Sequence, residues 1–209
     1  RVSLGDRADP DTDVIAVDGR AVGAHARKVY LMLHKPRGFV TTLSDERGRR
    51  TAAELVRGCG TRVFPVGRLD RDSEGLLLFT NDGALAQRLL HPSHQVDKVY
   101  EVTVTGSLTG AAERLASVDR LDGEAIVPAL VRELSRTGEK AVLEVIIHQG
   151  KKRQIRRMCA QVGLEVGLLV TEAARMAEDG LTLGELPCGH WRYLTSGELD
   201  IIKGSDGHE

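Results

Sequence analysis

Apolar residues follow two different spacings along this chain. Between Lys98 and Thr105 they alternate with polar residues, so that Tyr100, Val102 and Val104 share one face. This alternation predicts a strand with one buried face, and it turns Tyr100 inward. Short, mostly apolar runs predict three further strands, at residues 29–34, 76–79 and 141–147.

Helix start and stop signals separate these strands. Thr51 followed by Glu54 forms a capping box, which predicts a short helix that Gly58 closes. Asn81-Asp82-Gly83 predicts the start of a second helix. Apolar residues at 155, 158, 159 and 162 recur at helical spacing and predict a helix over 153–162 that ends at Gly163.

The order of these elements favours an α+β fold. Strands outnumber helices, and several neighbouring strands are separated by short turns, such as the Asp-Gly signal at residues 18–19. We therefore predict a mixed, mostly antiparallel central sheet flanked by helices.

Composition limits the function classes. The chain has 209 residues, 41% of them hydrophobic and 28% charged, which is ordinary for a globular protein. Its formal net charge is −1, so any affinity for nucleic acid must come from local clusters of cations. The three cysteines are scattered, which argues against a disulfide framework or a zinc site and suits the reducing cytoplasm. No apolar stretch approaches the length of a membrane span, so we expect no membrane partner.

Asp70 is the first candidate for chemistry. It lies in the turn Gly67–Gly75, just before the apolar run at 76–79, with Arg68 two residues away. A carboxylate held at the edge of the core is a candidate nucleophile, although an aspartate in such a turn commonly just accepts backbone hydrogen bonds. A calcium loop is excluded because the twelfth position is Asn81 rather than glutamate.

The second candidate is the basic run 151–157, which has five Lys or Arg in seven residues. Such a run is either a solvated helix face or a surface that contacts phosphates. Arg156 follows the apolar Ile155 and can reach inward towards a carboxylate. His91 and His94 have no third ligand nearby, so we expect no metal there.

Three motifs taken together resemble the RsuA/RluB-type ribosomal RNA pseudouridine synthases. They are Gly67–Asp70, Lys98–Tyr100 and Gln154–Met158, in that order. The resemblance runs from residue 29 to 166 and resumes at 181–199. Lys35–Thr42 and Asp45–Arg49 are most similar to the large-subunit, RluB-like branch.

The resemblance implies a pseudouridine synthase catalytic domain over residues 27–200. Residues 1–26 resemble the end of a small RNA-binding domain plus a linker, and we expect the helical part of that domain to lie upstream. Residues 201–209 are expected to form a disordered tail. Two departures stand out: Ser73 replaces the usual threonine, and residues 167–180 replace a shorter, arginine-rich run. The second departure puts RNA contacts by that segment in doubt.

The resemblance also assigns residues to roles. Asp70 is the nucleophile, Arg156 pairs with it, and Tyr100 stacks on the uracil and takes the proton from carbon 5. Arg68 fills the space left by the flipped base. Further RNA contacts come from Lys98, Lys151, Lys152, Arg153 and Arg157. Isomerisation transfers no external group and changes no redox state, so we expect no cofactor and no metal. The partner is ribosomal RNA, and we expect a monomer.

Three other hypotheses compete with this one. A small-subunit synthase would use the same residues on another RNA. A non-catalytic RNA-binding factor for ribosome assembly would use the same basic surface, but it has no need of a carboxylate facing phosphates. A carboxylate-based glycosidase lacks an evident second acid.

Overall fold

The computed structural model describes residues 16–21, 27–91, 96–176 and 179–204. The helices are α1 (Ala52–Leu55), α2 (Gly83–Leu90), α3 (Ala111–Ala116), α4 (Gln154–Gln161) and α5 (Ser196–Lys203). The strands are β1 (Ala16–Val17), β2 (Arg20–Ala21), β3 (Tyr30–Lys35), β4 (Phe64–Val66), β5 (Glu74–Thr80), β6 (Asp97–Gly106), β7 (Arg120–Leu121), β8 (Glu124–Ala125), β9 (Leu130–Thr137), β10 (Lys140–Ile147), β11 (Leu164–Met176), β12 (Asp179–Thr182) and β13 (Trp191–Tyr193).

A nine-stranded sheet organises the described residues in the order β13-β3-β5-β11-β6-β10-β9, with β4 on β5 and β12 on β11. β5 and β11 run parallel, and the other pairings in this sheet are antiparallel. The predicted α+β fold with a mixed, mostly antiparallel sheet is confirmed. The four predicted strands are present as β3, β5, β6 and β10.

The alternation in β6 builds the larger part of the core. Tyr100, Val102 and Val104 are buried on one face, together with the apolar residues of α4. α4 covers this face because Ile155, Met158 and Cys159 follow its 3.6-residue period and are all buried. Gly163 has φ +75° and lies just beyond the helix, as predicted.

The parallel contact between β5 and β11 requires a glycine. Gly75 lies opposite Thr171 and has φ +121°. A Cβ at this position would lie 2.4 Å from both the backbone nitrogen and the backbone oxygen of Thr171. The close approach places the loop that precedes β5 beside the strands that carry Thr171 and Tyr100.

Several local predictions are confirmed and others need correction. The Thr51–Glu54 capping box and the Asp82 cap of α2 are present. The first helix does not end at Gly58, because that residue lies within a 3-10 turn, Arg57–Cys59, which Gly60 closes at φ +74°. The predicted disordered tail, residues 201–209, begins too early in the sequence, because α5 extends to Lys203 and buries Ile202. Residues 205–209 lie outside the described part of the chain.

The described residues of the unusual segment 167–180, which are 167–176 and 179–180, are part of the sheet. They form most of β11, which pairs with both β5 and β6, and the start of β12. Of residues 1–26, the structure describes only the β1–β2 hairpin at 16–21. No helix in the described ranges is both long and apolar enough to cross a membrane.

Candidate active site

The loop at residues 67–73, between β4 and β5, carries Asp70. The segment that follows β3 donates hydrogen bonds to the backbone of this loop. The Thr41 hydroxyl donates to the carbonyl of Leu69 at 2.8 Å, and the Gly38 amide donates to the carbonyl of Arg71 at 2.7 Å. Within the loop, the Ser73 amide donates to the Asp70 carbonyl at 3.1 Å. The backbone around Asp70 is therefore fixed before any substrate arrives.

Lys35 is the strongest of these anchors. Its side chain is fully buried, and Nζ donates to the carbonyls of Pro36, Asp70 and Ser73 at 3.0, 3.1 and 2.8 Å. An ammonium group has three donors, so the three carbonyls satisfy it completely. Burial lowers the pKa of Lys35 to about 8, opposed by the nearby carboxylates, Asp70 first. Lys35 is therefore still mostly protonated at neutral pH.

Two arginines from the start of α4 reach the Asp70 loop. Arg153 Nη1 lies 2.9 Å from Asp72 Oδ1 and 4.0 Å from Asp70 Oδ2. Arg156 Nη2 donates to the backbone oxygen of Asp72 at 2.9 Å, and its Nε lies 3.6 Å from Asp72 Oδ2. The hydrogen bond from Arg153 and the charges of both arginines lower the pKa of Asp72.

The predicted ion pair between Arg156 and Asp70 is therefore wrong. Among the described residues, Arg153 is the cation within ion-pair distance of Asp70. The reason is geometric: Arg153 precedes the helix with a left-handed backbone, φ +52°, which directs its side chain towards Asp70 and Asp72. Arg156 lies one helical turn after Arg153 and is half-buried. Its guanidinium donates to the backbone oxygen of Asp72 and to the Val166 carbonyl, the latter at 3.5 Å.

Tyr100 faces the same site from β6. Its side chain is buried, as predicted, and Thr171 of β11 lies directly opposite it. Burial raises the pKa of Tyr100 to about 12; the Thr171 hydroxyl opposes this shift, and the negative charge of Asp70 adds to it. Tyr100 is therefore a neutral phenol at physiological pH.

A cavity of about 380 Å³ opens beside these groups. Arg68 and Leu69 line it from the Asp70 loop, and Lys98, Tyr100 and Gln149 line it from the central sheet and the turn after β10. Burial lowers the pKa of Lys98, which Asp97 opposes. The volume is in the range of small-ligand pockets, with apolar walls and a few polar groups.

The other lysines and arginines of the basic run, Lys151, Lys152 and Arg157, do not contact the Asp70 loop in ion pairs among the described residues. Lys151 Nζ lies 2.9 Å from Glu124 Oε2 and 3.2 Å from the carbonyl of Ala125, and Arg157 pairs with Asp122. Asp122 and Glu124 belong to the β7–β8 hairpin, which we call the acidic hairpin. Lys152 is exposed. Of the predicted phosphate-binding cations, Arg153 is thus the one that the structure brings to Asp70.

Comparison with known proteins assigns the chain to a family. A family model described as RNA pseudouridylate synthase matches residues 29–161, which include Asp70, Tyr100, Arg153 and Arg156. The chain belongs to this family. It is a pseudouridine synthase, an isomerase that converts uridine to pseudouridine.

Relatives of this synthase support the same assignment. It is 43% identical over 202 residues to an uncharacterized RNA pseudouridine synthase of Mycobacterium tuberculosis, covering 94% of this chain and 77% of the relative. It is 35% identical over 202 residues to the ribosomal large subunit pseudouridine synthase B of Bacillus subtilis, covering 94% and 80%. A solved structure of a pseudouridylate synthase matches with a TM-score of 0.74 at 27% identity, covering 96% and 84%. The predicted resemblance to RluB-like synthases and the predicted fold are confirmed.

Sequence reasoning did not assign Lys35 or Asp72 to this site of the synthase. Lys35 carried a signal, because a lysine that ends an otherwise apolar strand must be exposed or satisfied inside the protein. Asp72 lies two residues after Asp70, but nothing in the sequence shows that Arg156 contacts Asp72 rather than Asp70.

Proposed function

We propose that this enzyme isomerises a uridine of ribosomal RNA, in the large subunit, with Asp70 as its nucleophile. The observation that carries the proposal is a carboxylate on an anchored loop, beside Arg153 and Tyr100, next to a cavity of about 380 Å³. Similarity to a relative named ribosomal large subunit pseudouridine synthase B supports the choice of RNA.

The proposed reaction breaks one bond and makes another within the same nucleotide. The Asp70 carboxylate attacks the sugar carbon or assists elimination, and the bond from that carbon to ring nitrogen 1 breaks with its electron pair on the uracil. The uracil rotates, and carbon 5 then bonds to the sugar carbon. In the attack route the bond from that carbon to Asp70 breaks at this point and restores the carboxylate; in the elimination route the proton that the sugar lost returns to it. Carbon 5 loses a proton and nitrogen 1 gains one, so atoms and electrons balance without an external reactant.

Arg153 and Asp72 support this role of Asp70. The Arg153 guanidinium lies 4.0 Å from Asp70 and 2.9 Å from Asp72, so its positive charge faces both carboxylates, and it lowers the pKa of Asp72. Arg156 holds the Asp72 backbone at 2.9 Å and so positions the loop rather than touching Asp70. We therefore propose that Arg156 acts through Asp72.

Tyr100 is proposed to stack on the flipped uracil. Its buried ring lines the cavity, and its high pKa leaves only about one phenol in 10⁵ ionised at pH 7. Abstraction of the carbon 5 proton by the phenolate is therefore costly, and the geometry favours stacking over that role. Arg68 is exposed at the mouth of the cavity, where it can fill the gap left in the RNA helix.

The proposal is tested by release of tritium from carbon 5 of labelled uridine in unmodified ribosomal RNA. We expect activity on large-subunit RNA from the native chain and from Asp200→Asn, a control at an exposed position on α5. Asp70→Asn should lose at least a hundredfold in rate, roughly 2.7 kcal/mol, while it keeps its fold and its RNA affinity.

Three outcomes would contradict parts of the proposal. A rate for Asp70→Asn above about one hundredth of native would remove Asp70 as nucleophile. Release from small-subunit RNA alone would overturn the proposed target and leave the chemistry standing. RNA binding without any release by the native chain would mean that it acts as a binding factor.

A further inference from the structure

A cluster of three metal-ligating side chains lies beside the anchored loop and takes no part in the reaction proposed above. His34 comes from the end of β3, Glu74 from the start of β5, and Cys188 from the loop before β13. Their ligand atoms all lie within 4.8 Å of one another. They are separated by 40 and 114 positions in the sequence, so local spacing gave no sign of them.

The orientation of His34 is the first sign of a cation site. Its Nδ1 lies 2.7 Å from the carbonyl oxygen of Leu186, which can only accept a hydrogen bond, so Nδ1 carries the proton. The other nitrogen, Nε2, lies 3.2 Å from Glu74 Oε1. In a neutral imidazole these two atoms direct lone pairs at each other, which is unfavourable unless a proton or a metal ion lies between them.

The second sign is the third ligand. Cys188 interacts with the same Glu74 carboxylate, so Glu74 is shared by a histidine nitrogen and a thiol. The loop that carries Cys188 is pinned to β3 by two backbone bonds, from the His34 amide to the His190 carbonyl at 2.9 Å and from the Gly189 amide to the His34 carbonyl at 2.8 Å. The thiol is therefore held near the other two ligands.

We propose that His34 Nε2, the Glu74 carboxylate and the Cys188 thiolate bind a divalent metal ion of the zinc class. Nitrogen, oxygen and sulfur ligands at about 2.0–2.3 Å from a tetrahedral ion lie roughly 3.3–3.6 Å apart. His34 Nε2 and Glu74 Oε1 are 3.2 Å apart, and all three ligand atoms lie within 4.8 Å of one another. Binding releases the thiol proton to solvent, and the two negative charges then balance the ion. Cys188 is exposed, which leaves the fourth position to water.

The Leu186 carbonyl plays the supporting role that metal-bound histidines usually require, because it fixes the tautomer and the ring orientation. The ion would join β3, β5 and the loop before β13. Its ligands His34 and Glu74 directly adjoin Lys35 and Ser73, which form the anchor of the Asp70 loop. The ion would therefore brace the strand ends from which the Asp70 loop is anchored.

Cobalt(II) titration of the metal-free full chain, under a reductant without thiols, tests the site directly. We expect one equivalent of Co²⁺ to give a thiolate-to-cobalt charge-transfer band, which added Zn²⁺ removes. Cys188→Ser should abolish the band, and since Cys188 is exposed we expect this variant to fold. Cys59→Ser is the matched control and should keep the band.

Competition with a chromophoric chelator gives the affinity for Zn²⁺. We expect Cys188→Ser and His34→Gln each to weaken it by about tenfold or more. His190→Gln, a change at an exposed histidine of the same loop, should leave it unchanged. Absence of the band, a band that survives Cys188→Ser, or equal affinities in all variants would overturn the site.

Discussion

The Asp70 loop and the basic run 151–157 both involve cationic side chains, but the cation beneath the loop is buried whereas Lys151 and Arg157 of the basic run form exposed ion pairs. Under the loop, the buried Lys35 ammonium donates to three backbone carbonyls. In the basic run, Lys151 and Arg157 pair with the acidic hairpin, whose Glu124 and Asp122 side chains are 75% and 83% exposed. The first arrangement is shielded from water, and the second is open to solvent and ions.

This difference separates the two tasks of the enzyme. A buried cation whose partners are backbone oxygens cannot exchange them, so the Lys35 contacts fix the position of Asp70. Exposed ion pairs are weak and screened by salt, so RNA phosphates can displace the carboxylates of the acidic hairpin. Under the proposed function, the anchored loop serves the chemistry, and Lys151 and Arg157 are free to change partners when RNA binds.

The largest expected effect comes from removing the anchor. Lys35→Met leaves three carbonyls without a donor, and we expect a loss of about 3–5 kcal/mol in the free energy of unfolding, together with the loss of activity. Urea unfolding measures the change. Lys151→Met, the matched variant in the basic run, should leave the unfolding midpoint nearly unchanged. Similar midpoints for the two variants would erase the distinction between the regions.

Neighbouring arginines of α4 give a sharper version of the same comparison. Arg156→Ala frees the Asp72 backbone and should lower the single-turnover rate by about a hundredfold, because the Asp70 loop loses its position. Arg157→Ala removes an exposed cation, so it should weaken RNA binding and reduce the salt slope by about one, with little change in the saturating rate. Equal losses of rate would show that Arg156 does not position the loop.

The burial of Tyr100 predicts a pH dependence of stability. Its pKa is about 12 in the folded protein against an ordinary value of 10.0, so the unfolded chain loses this proton first. The free energy of unfolding should therefore fall as the pH rises from 10 to 12, by about 1.4 kcal/mol at pH 11 from this residue.

Urea unfolding of the native chain and of Tyr100→Phe at several pH values measures this contribution. The gap between the two proteins should be constant from pH 7 to 9 and should change above pH 10. A gap that stays constant up to pH 11 would mean that Tyr100 titrates normally in the folded protein.

The smallest effect is expected from the acidic hairpin. Asp122→Asn combined with Glu124→Gln removes the carboxylates that compete with phosphates, and RNA affinity should rise by about threefold at low salt and less at high salt. Glu133→Gln, which breaks an ion pair with Arg136 on β9, is the control and should not change affinity. Unchanged affinity in the double variant would mean that the RNA does not use Lys151 and Arg157.

Local patterns in the sequence are enough to predict the main elements and the candidate chemical groups. The capping box of α1, the Asp82 cap of α2 and the alternation in β6 each depend on residues a few positions apart, so a local pattern is enough to predict them. Resemblance of three short motifs also identified the family correctly.

Which charged groups become partners depends instead on the folded arrangement of the chain. Arg156 and Asp72 are 84 positions apart, Lys35 and Asp70 are 35 apart, and Arg157 and Asp122 are also 35 apart. In each case the choice depends on where β5, α4 and the acidic hairpin come to lie after the sheet has formed. Side-chain reach and burial then select one partner among several of suitable charge, which is why Arg156 binds Asp72 and leaves Asp70 to Arg153.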